Sequence, residues 1–203
     1  MILAIDCSTA ACTAALISTH GDVLAERHEE VGRGHAERLV PMIEELLDAR
    51  VPHEILVGVG PGSFTGLRVA IAAAQGMAIG WAVPLFGFDS LALVAAGAIG
   101  KGSTAVAMLG GHGEWLIAEY DQPALHRVRS VASLSPAAAA KVVAARRVVG
   151  SAAEALVALR GSGEATSALP RAAHALRLPP VLRTLEPRPV YARAPDARPR
   201  QAA

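Results

Sequence analysis

The sequence has few aromatic residues, few cysteines and almost no net charge. Aromatic residues make up 3% of the 203 residues, so a core has to come mainly from Leu, Val, Ile and Ala within a hydrophobic fraction of 52%. Two cysteines, Cys7 and Cys12, are too few for the disulfide framework of a secreted domain and favour a reducing, cytoplasmic location. A formal net charge of +1 excludes strong overall attraction to nucleic acid or to anionic membranes.

The charge is nevertheless unevenly distributed along the chain. From Arg171 to the C-terminus seven Arg stand against Glu186 and Asp196, which is a local charge of +5 and leaves −4 for the remainder. Such a basic end is typical of a solvated tail, and contact with RNA is the alternative.

Recognisable motifs for metal and nucleotide chemistry are also missing. No two of the seven histidines are four residues apart, and neither Cys-x-x-Cys nor His-Glu-x-x-His occurs, so no metal site and no cofactor are predicted. Residues 57–68 read as strand, glycine loop and helix, but Gly66 is followed by Leu67 where a P-loop needs Lys.

Two loops remain candidates for degenerate phosphate-binding loops. Glycine lets the backbone approach an anion, and the N-terminus of a helix attracts the anion. If they held ATP, the chain would be an ATP-dependent phosphotransferase of the sugar-kinase or acetate-kinase type. The alternative is that the glycines only allow close helix–sheet packing. The candidate residues are Asp6, Ser8, Thr9, Gly60, Gly62, Ser63 and Thr65.

Hydrophobic periodicity predicts the order strand, strand, strand, helix, strand, helix, strand, helix in the first half. Three strands on short turns form an antiparallel meander, and the helical crossovers that follow imply a mixed sheet with helices on both faces. This α/β order is that of the ribonuclease-H-like core of the actin-like (ASKHA) fold. The predicted strands are 1–6, 13–18, 23–29, 54–60 and 84–88, and the helices 35–50, 67–81 and 90–99.

The second half carries weaker signals and predicts a reduced second lobe. Its expected strands are 104–109, 114–120, 128–131 and 148–149, with helices at 136–145 and 152–159. Six prolines from Pro179 onward predict an extended tail. The expected division is a lobe at 1–100, a smaller lobe at 101–178 and a tail at 179–203.

The two longer helices of the first lobe are the best candidates for a functional surface. The helix at 35–50 has an apolar stripe that is wide for one buried seam, and the helix at 67–81 carries Ala72, Ala73, Gly76 and Gly80, which allow another helix to come near. An ordinary core role is equally compatible with the spacing. A membrane span over 69–88 has the necessary length, but its Ala and Gly content and Pro84 favour a buried helix.

Three segments resemble a known family. Residues 4–12 (AIDCSTAAC), 33–47 (RGHAERLVPMIEELL) and 59–68 (VGPGSFTGLR) are similar to the TsaB (YeaZ) family of bacterial tRNA threonylcarbamoyladenosine biosynthesis proteins, and residues 189–193 resemble the usual ending of that family. The similarity covers about the first 100 residues. Gly110, Gly111 and His112 stand where members usually carry Asp-Ala-Arg.

The resemblance implies an actin-like fold and a non-catalytic role in making N6-threonylcarbamoyladenosine at position 37 of tRNAs that read ANN codons. In that system the paralogue TsaD transfers the group with a helical His-x-x-x-His metal motif, which this sequence lacks. The implied partners are TsaD and the ATPase TsaE, with a homodimer through the same face when the chain is alone, and tRNA contact that is indirect or through the basic tail.

The resemblance also places the pairing surface on the two longer helices. The residues expected there are His35, Arg38, Leu39, Met42, Ile43, Leu46, Arg68, Ala72, Gln75 and Gly76.

Overall fold

The computed structural model describes residues 1–98 and 100–192 and contains two five-stranded sheets, one in each lobe. In the first lobe the strand order is β3-β2-β1-β4-β5. The strands are β1 (Ile2–Asp6), β2 (Ala11–Ile17), β3 (Val23–Glu30), β4 (Glu54–Gly60) and β5 (Leu85–Asp89).

The first sheet is mixed, as its sequence predicts. The antiparallel meander β1–β2–β3 is followed by β4 and β5, which run parallel to β1. Every residue of β1 and β2 is buried, because helices cover both faces of the sheet, and β3 at the edge is largely polar. The predicted actin-like fold is confirmed. The helices of this lobe are α1 (His35–Leu47), α2 (Phe64–Trp81) and α3 (Ser90–Gly97).

The second sheet has the order β10-β9-β6-β7-β8 and packs one face on two short helices. Its other face packs on α3, which therefore lies in a core shared by the two lobes. The short strand β10 is absent from the sequence-based prediction. The elements are β6 (Gly102–Leu109), β7 (Trp115–Gln122), β8 (His126–Leu134), β9 (Arg147–Val149), β10 (Glu164–Thr166), α4 (Pro136–Val142) and α5 (Ala153–Arg160).

After β10 the chain returns to the first lobe. The 3-10 turn Ala172–Arg177 packs on β2, where the amide of Ala172 donates to the Thr13 hydroxyl (3.1 Å). Helix α6 (Pro180–Arg183) follows, and Leu185 exchanges two backbone hydrogen bonds with Gly87 of β5.

The segment predicted to be an extended tail is thus packed over its described part. The amide of Val190 donates to the carbonyl of Val59 (2.7 Å), so residues 185–192 run beside the ends of β4 and β5. Residues 193–203, which carry three Arg of the predicted basic tail, lie outside the described residues.

In the described part of the chain, no helix has the length and apolar character to cross a membrane. The apolar stretch at 69–88 is divided between α2 and β5, with Ala82 in a left-handed conformation after the helix.

Candidate functional site

The structure brings together the two loops predicted as phosphate loops. The amide of Ser63 donates to the carbonyl of Ser8 (2.7 Å), so the loop before α2 lies directly on the β1–β2 turn. A Cβ added at Gly62 would collide with the Ser8 carbonyl, and one added at Gly66 would collide with that of Cys7. The glycines therefore allow close packing of the two loops, which is the structural alternative to phosphate binding.

Asp6 is fully buried beneath this junction, and its carboxylate accepts hydrogen bonds from its own chain. The Ser8 amide (2.8 Å), the Ser8 hydroxyl (2.7 Å) and the Ser90 hydroxyl (2.6 Å) all donate to it. Burial raises the pKa of Asp6 against the opposing effect of these hydrogen bonds. A carboxylate held in this way does not face a ligand.

An open cleft of about 630 Å³ lies between the two lobes, next to these loops. Of the predicted loop residues, Ser8, Thr9, Gly62 and Ser63 line it. Asp6, Gly60 and Thr65 do not. The second lobe contributes residues around the β6–β7 connection, including His112 and Glu114.

The ionisable side chains of the cleft lining bear on the phosphotransferase alternative. Among the described residues that line it there is no Lys or Arg, and the carboxylate of Glu114 is present. A phosphate in this cleft would therefore have to be held mainly by backbone amides, such as those in the first turn of α2.

An aromatic cluster at the cleft mouth is absent from the sequence-based prediction. The rings of Phe64 and Tyr191 stack with centroids 5.3 Å apart, and the guanidinium carbon of Arg68 lies 3.7 Å from the Phe64 centroid. Arg68 also donates to the Tyr191 hydroxyl (3.1 Å). The sequence separation of 123 residues explains why no local pattern indicates this cluster.

Most of the α1 residues expected at the pairing surface face the core. Leu39, Met42, Ile43 and Leu46 are between 0 and 2% exposed and belong to the cluster between the first sheet and its helices. A side chain in this position cannot contact a partner without leaving the core. On α1 the exposed apolar side chain is instead Val40, at 55%.

The two polar α1 residues of the prediction are engaged within the chain. Buried His35 lies with Nε2 2.9 Å from the Thr9 carbonyl, which ties α1 to the β1–β2 turn. Arg38 forms ion pairs with Glu29 (2.7 Å) and Glu45 (2.9 Å).

The α2 residues of the prediction, by contrast, lie on the surface. Arg68, Ala72, Gln75 and Gly76 are exposed, and Ile79 on the same side of the helix is 82% exposed. Gln75 also donates to the carbonyl of Pro187 (3.4 Å). The exposed face of α2 is therefore bordered by the returning C-terminal segment.

Two glycines on this helix have no packing partner among the residues that the structure describes. A Cβ added at Gly76 or at Gly80 would meet nothing within 4 Å. Glycine in a helix interior costs about 0.5–1 kcal/mol relative to Ala. No contact within residues 1–98 and 100–192 requires that cost, which is compatible with close approach of a second molecule.

Within the described residues, no group of three or more His, Cys, Asp or Glu side chains is arranged to hold a metal ion.

Comparisons with known proteins identify the family that the three sequence motifs resemble. Residues 22–177 match the family model "TsaD: tRNA N6-adenosine threonylcarbamoyltransferase". The tRNA threonylcarbamoyladenosine biosynthesis protein TsaB of Escherichia coli K12 is 39% identical over 112 residues, which are 52% of this chain and 47% of that protein. The uncharacterized protein Rv3421c of Mycobacterium tuberculosis is 43% identical over 107 residues, 49% of this chain and 50% of that protein. The chain thus spans about half the length of these curated relatives.

Solved structures match over nearly the whole chain. A Pseudomonas aeruginosa protein described as similar to the peptidase YEAZ is 30% identical with a TM-score of 0.79, over 95% of this chain and 99% of that one. YeaZ from the same species is 28% identical with a TM-score of 0.77, over 94% and 98%.

Proposed function

Because the chain belongs to the TsaD family of tRNA N6-adenosine threonylcarbamoyltransferases, on its TsaB/YeaZ branch, we propose that it is a non-catalytic subunit of a complex that places a threonylcarbamoyl group on tRNA adenosine. In this proposal the chain pairs with its catalytic relative TsaD, and TsaE joins the pair. When TsaD is absent, two copies of the chain pair through the same face.

The exposed face of α2 carries the proposal. No described residue fills the space around its glycines at 76 and 80, and Ile79 exposes 82% of its surface to solvent. We define the pairing face as Arg68, Ala72, Gln75, Gly76 and Ile79 of α2, with Val40 of α1. A helix with small residues and one large apolar side chain suits close packing against another helix.

The buried state of Asp6 supports a non-catalytic role. Its carboxylate is held by Ser8 and Ser90, and the described cleft lining contains no Lys or Arg side chain to bind a phosphate. We therefore expect no measurable binding of ATP with Mg²⁺ to the isolated chain in a calorimetric titration. Micromolar binding would contradict this expectation and revive the phosphotransferase alternative.

The pairing face is tested with Ile79→Glu. We expect roughly 100-fold weaker binding to TsaD, because an unpaired carboxylate buried in an interface costs about 3 kcal/mol. The binding constant is measured by surface plasmon resonance, with circular dichroism to verify the fold. Variants of Leu39 or Met42 are unsuitable, since both side chains are in the core and their loss would unfold the chain.

Leu159→Glu is the matched control. Leu159 is an exposed apolar residue (55%) on α5 of the other lobe, so the same change there leaves the pairing face intact. Equal binding by the two variants would contradict the assignment of the face.

A further inference from the structure

The two thiols of the chain lie together at the hairpin that supports α2. The register of β1 and β2 pairs Asp6 with Thr13, so one residue further along Cys7 lies opposite Cys12. Their Sγ atoms are 3.8 Å apart, and both cysteines are free and buried.

This position suits the geometry of a disulfide bond. Residues directly opposite in an antiparallel pair have Cα atoms about 4.5–5.5 Å apart, which is inside the range of about 4.4–6.8 Å found for disulfides. The sulfur atoms are already in contact, so small side-chain rotations bring them to bonding distance without a change of strand pairing.

The bond would act on a turn that other elements use. Ser8 and Thr9, between the two cysteines, line the interlobe cleft, and the Ser8 carbonyl accepts from Ser63 at the start of α2. The Cys7 carbonyl lies against Gly66 in the first turn of that helix. A covalent link across the turn would therefore fix the backbone on which the N-terminus of α2 packs.

We propose that Cys7 and Cys12 are a modification site, at which a peroxide converts the two thiols to a reversible intrachain disulfide. The site is independent of the proposed role in tRNA modification, since it rests on the two thiols and the strand register alone.

The reaction balances in two steps. One thiolate attacks an oxygen of hydrogen peroxide, breaks the O–O bond and becomes a sulfenic acid, while the departing hydroxide takes up the proton and leaves as water. The second sulfur then attacks the sulfenic sulfur, forms the S–S bond and releases a second water molecule. The two sulfurs are oxidised and the peroxide is reduced.

The two thiols are coupled by one hydrogen bond, in which their Sγ atoms are 3.8 Å apart. Either thiol can attack the peroxide, and the other is then the resolving thiol.

The test treats the folded full-length chain with hydrogen peroxide and follows its intact mass and its free thiols after unfolding. We expect loss of two hydrogen masses and of both thiols, a peptide that joins Cys7 to Cys12, recovery with dithiothreitol, and a higher melting temperature for the oxidised chain. Two thiols that persist under conditions where the denatured chain reacts, or a lower melting temperature, would overturn the proposal.

Two single variants test whether the thiols act as a pair. In Cys7→Ala the sulfenic acid on Cys12 has no resolving partner, so we expect it to be trapped by dimedone, whereas the unsubstituted chain gives no adduct. In Cys12→Ala we expect the same adduct on Cys7. A dimedone adduct on the unsubstituted chain would overturn the pairing of the two sulfurs.

Discussion

Burial is the main cause of the pKa shifts of Asp6, Asp89 and His174. Asp6 and Asp89 are both buried, and burial raises the pKa of each carboxyl. Burial also lowers the pKa of His174, with a further contribution from Arg177, to about 4. His174 lies against Gly97 of α3, where an added Cβ would collide with its ring.

The depressed pKa of His174 predicts a loss of stability at mildly acidic pH. The unfolded chain takes up a proton near pH 6.5 and the folded chain only near pH 4, so the free energy of unfolding falls as pH decreases through this window. Because the ring is partly solvated, we expect a total effect of about 1–2 kcal/mol.

The measurement is urea denaturation between pH 4 and 7, comparing His174→Gln with the unsubstituted chain. The difference in free energy of unfolding between the two chains should change across this pH window. His20→Gln, at the exposed β2–β3 turn, is the control and should follow the unsubstituted chain. If the free energy of unfolding changed with pH equally in His174→Gln and in the unsubstituted chain, the prediction would be contradicted.

At the scale of elements, helices α1 and α2 of the first lobe each have a buried face that packs on the sheet and an exposed face. Helix α1 turns its apolar stripe, apart from Val40, into the core, and the four apolar residues expected to meet a partner are buried there. Helix α2 buries Leu67 and Ile71 and leaves Gly76 and Gly80 exposed. The wide stripe of α1 is thus needed by its own sheet, and the surface proposed for pairing belongs mainly to α2.

Alanine substitutions at the two exposed glycines of α2 should change stability and pairing in opposite directions. Gly76→Ala and Gly80→Ala should each raise the free energy of unfolding by about 0.5–1 kcal/mol, since the helix loses less backbone entropy and gains no clash. Binding to TsaD should weaken, because each added methyl group stands where the partner helix approaches. Denaturant unfolding and surface plasmon resonance measure the two effects.

Gly97→Ala is the control for this pair of variants. It is also a helical glycine, but its added Cβ would meet His174, so the substitution should lower the stability of the chain. Variants at 76 and 80 that destabilise the isolated chain would show that the open space around these glycines is needed for folding.

At the scale of the molecule, the two lobes are joined by more than their connecting segment. Asp89 caps α3 in the first lobe by accepting from the Ala92 amide (2.7 Å), and it pairs with Arg127 of β8 in the second. The Tyr120 hydroxyl also donates to Asp89 (3.2 Å). The C-terminal return to β2 and β5 adds a second connection.

Removal of the Arg127 side chain should weaken the coupling between the lobes. Arg127→Met leaves the buried Asp89 carboxylate without its cation, so we expect a loss of about 2–3 kcal/mol and a smaller m-value in urea as the lobes unfold less cooperatively. Arg129→Met removes an ion pair with Glu119 inside the second lobe. It should lower stability at an unchanged m-value, and an equal change of m-value in both variants would contradict the prediction.

Much of the architecture follows from the sequence because its signals are local. The predicted strand at Glu54–Gly60 has the observed bounds, and the crossover order predicts the mixed sheet. The short strand β10 and the packed segment 179–192 are not predicted, since β10 has three residues and proline-rich sequence shows no periodicity. The cluster of Phe64, Arg68 and Tyr191 depends on contacts across the length of the chain.

The sequence by itself determined the family, the order of the elements in the first lobe and the absence of a P-loop lysine, because each depends on neighbouring residue types. Only the tertiary structure decided which residues remain available to a partner. Leu39 and Ile79 are equally apolar, yet one is 1% and the other 82% exposed. Burial depends on what the rest of the chain places over a side chain, and hydrophobic spacing within one helix does not contain that information.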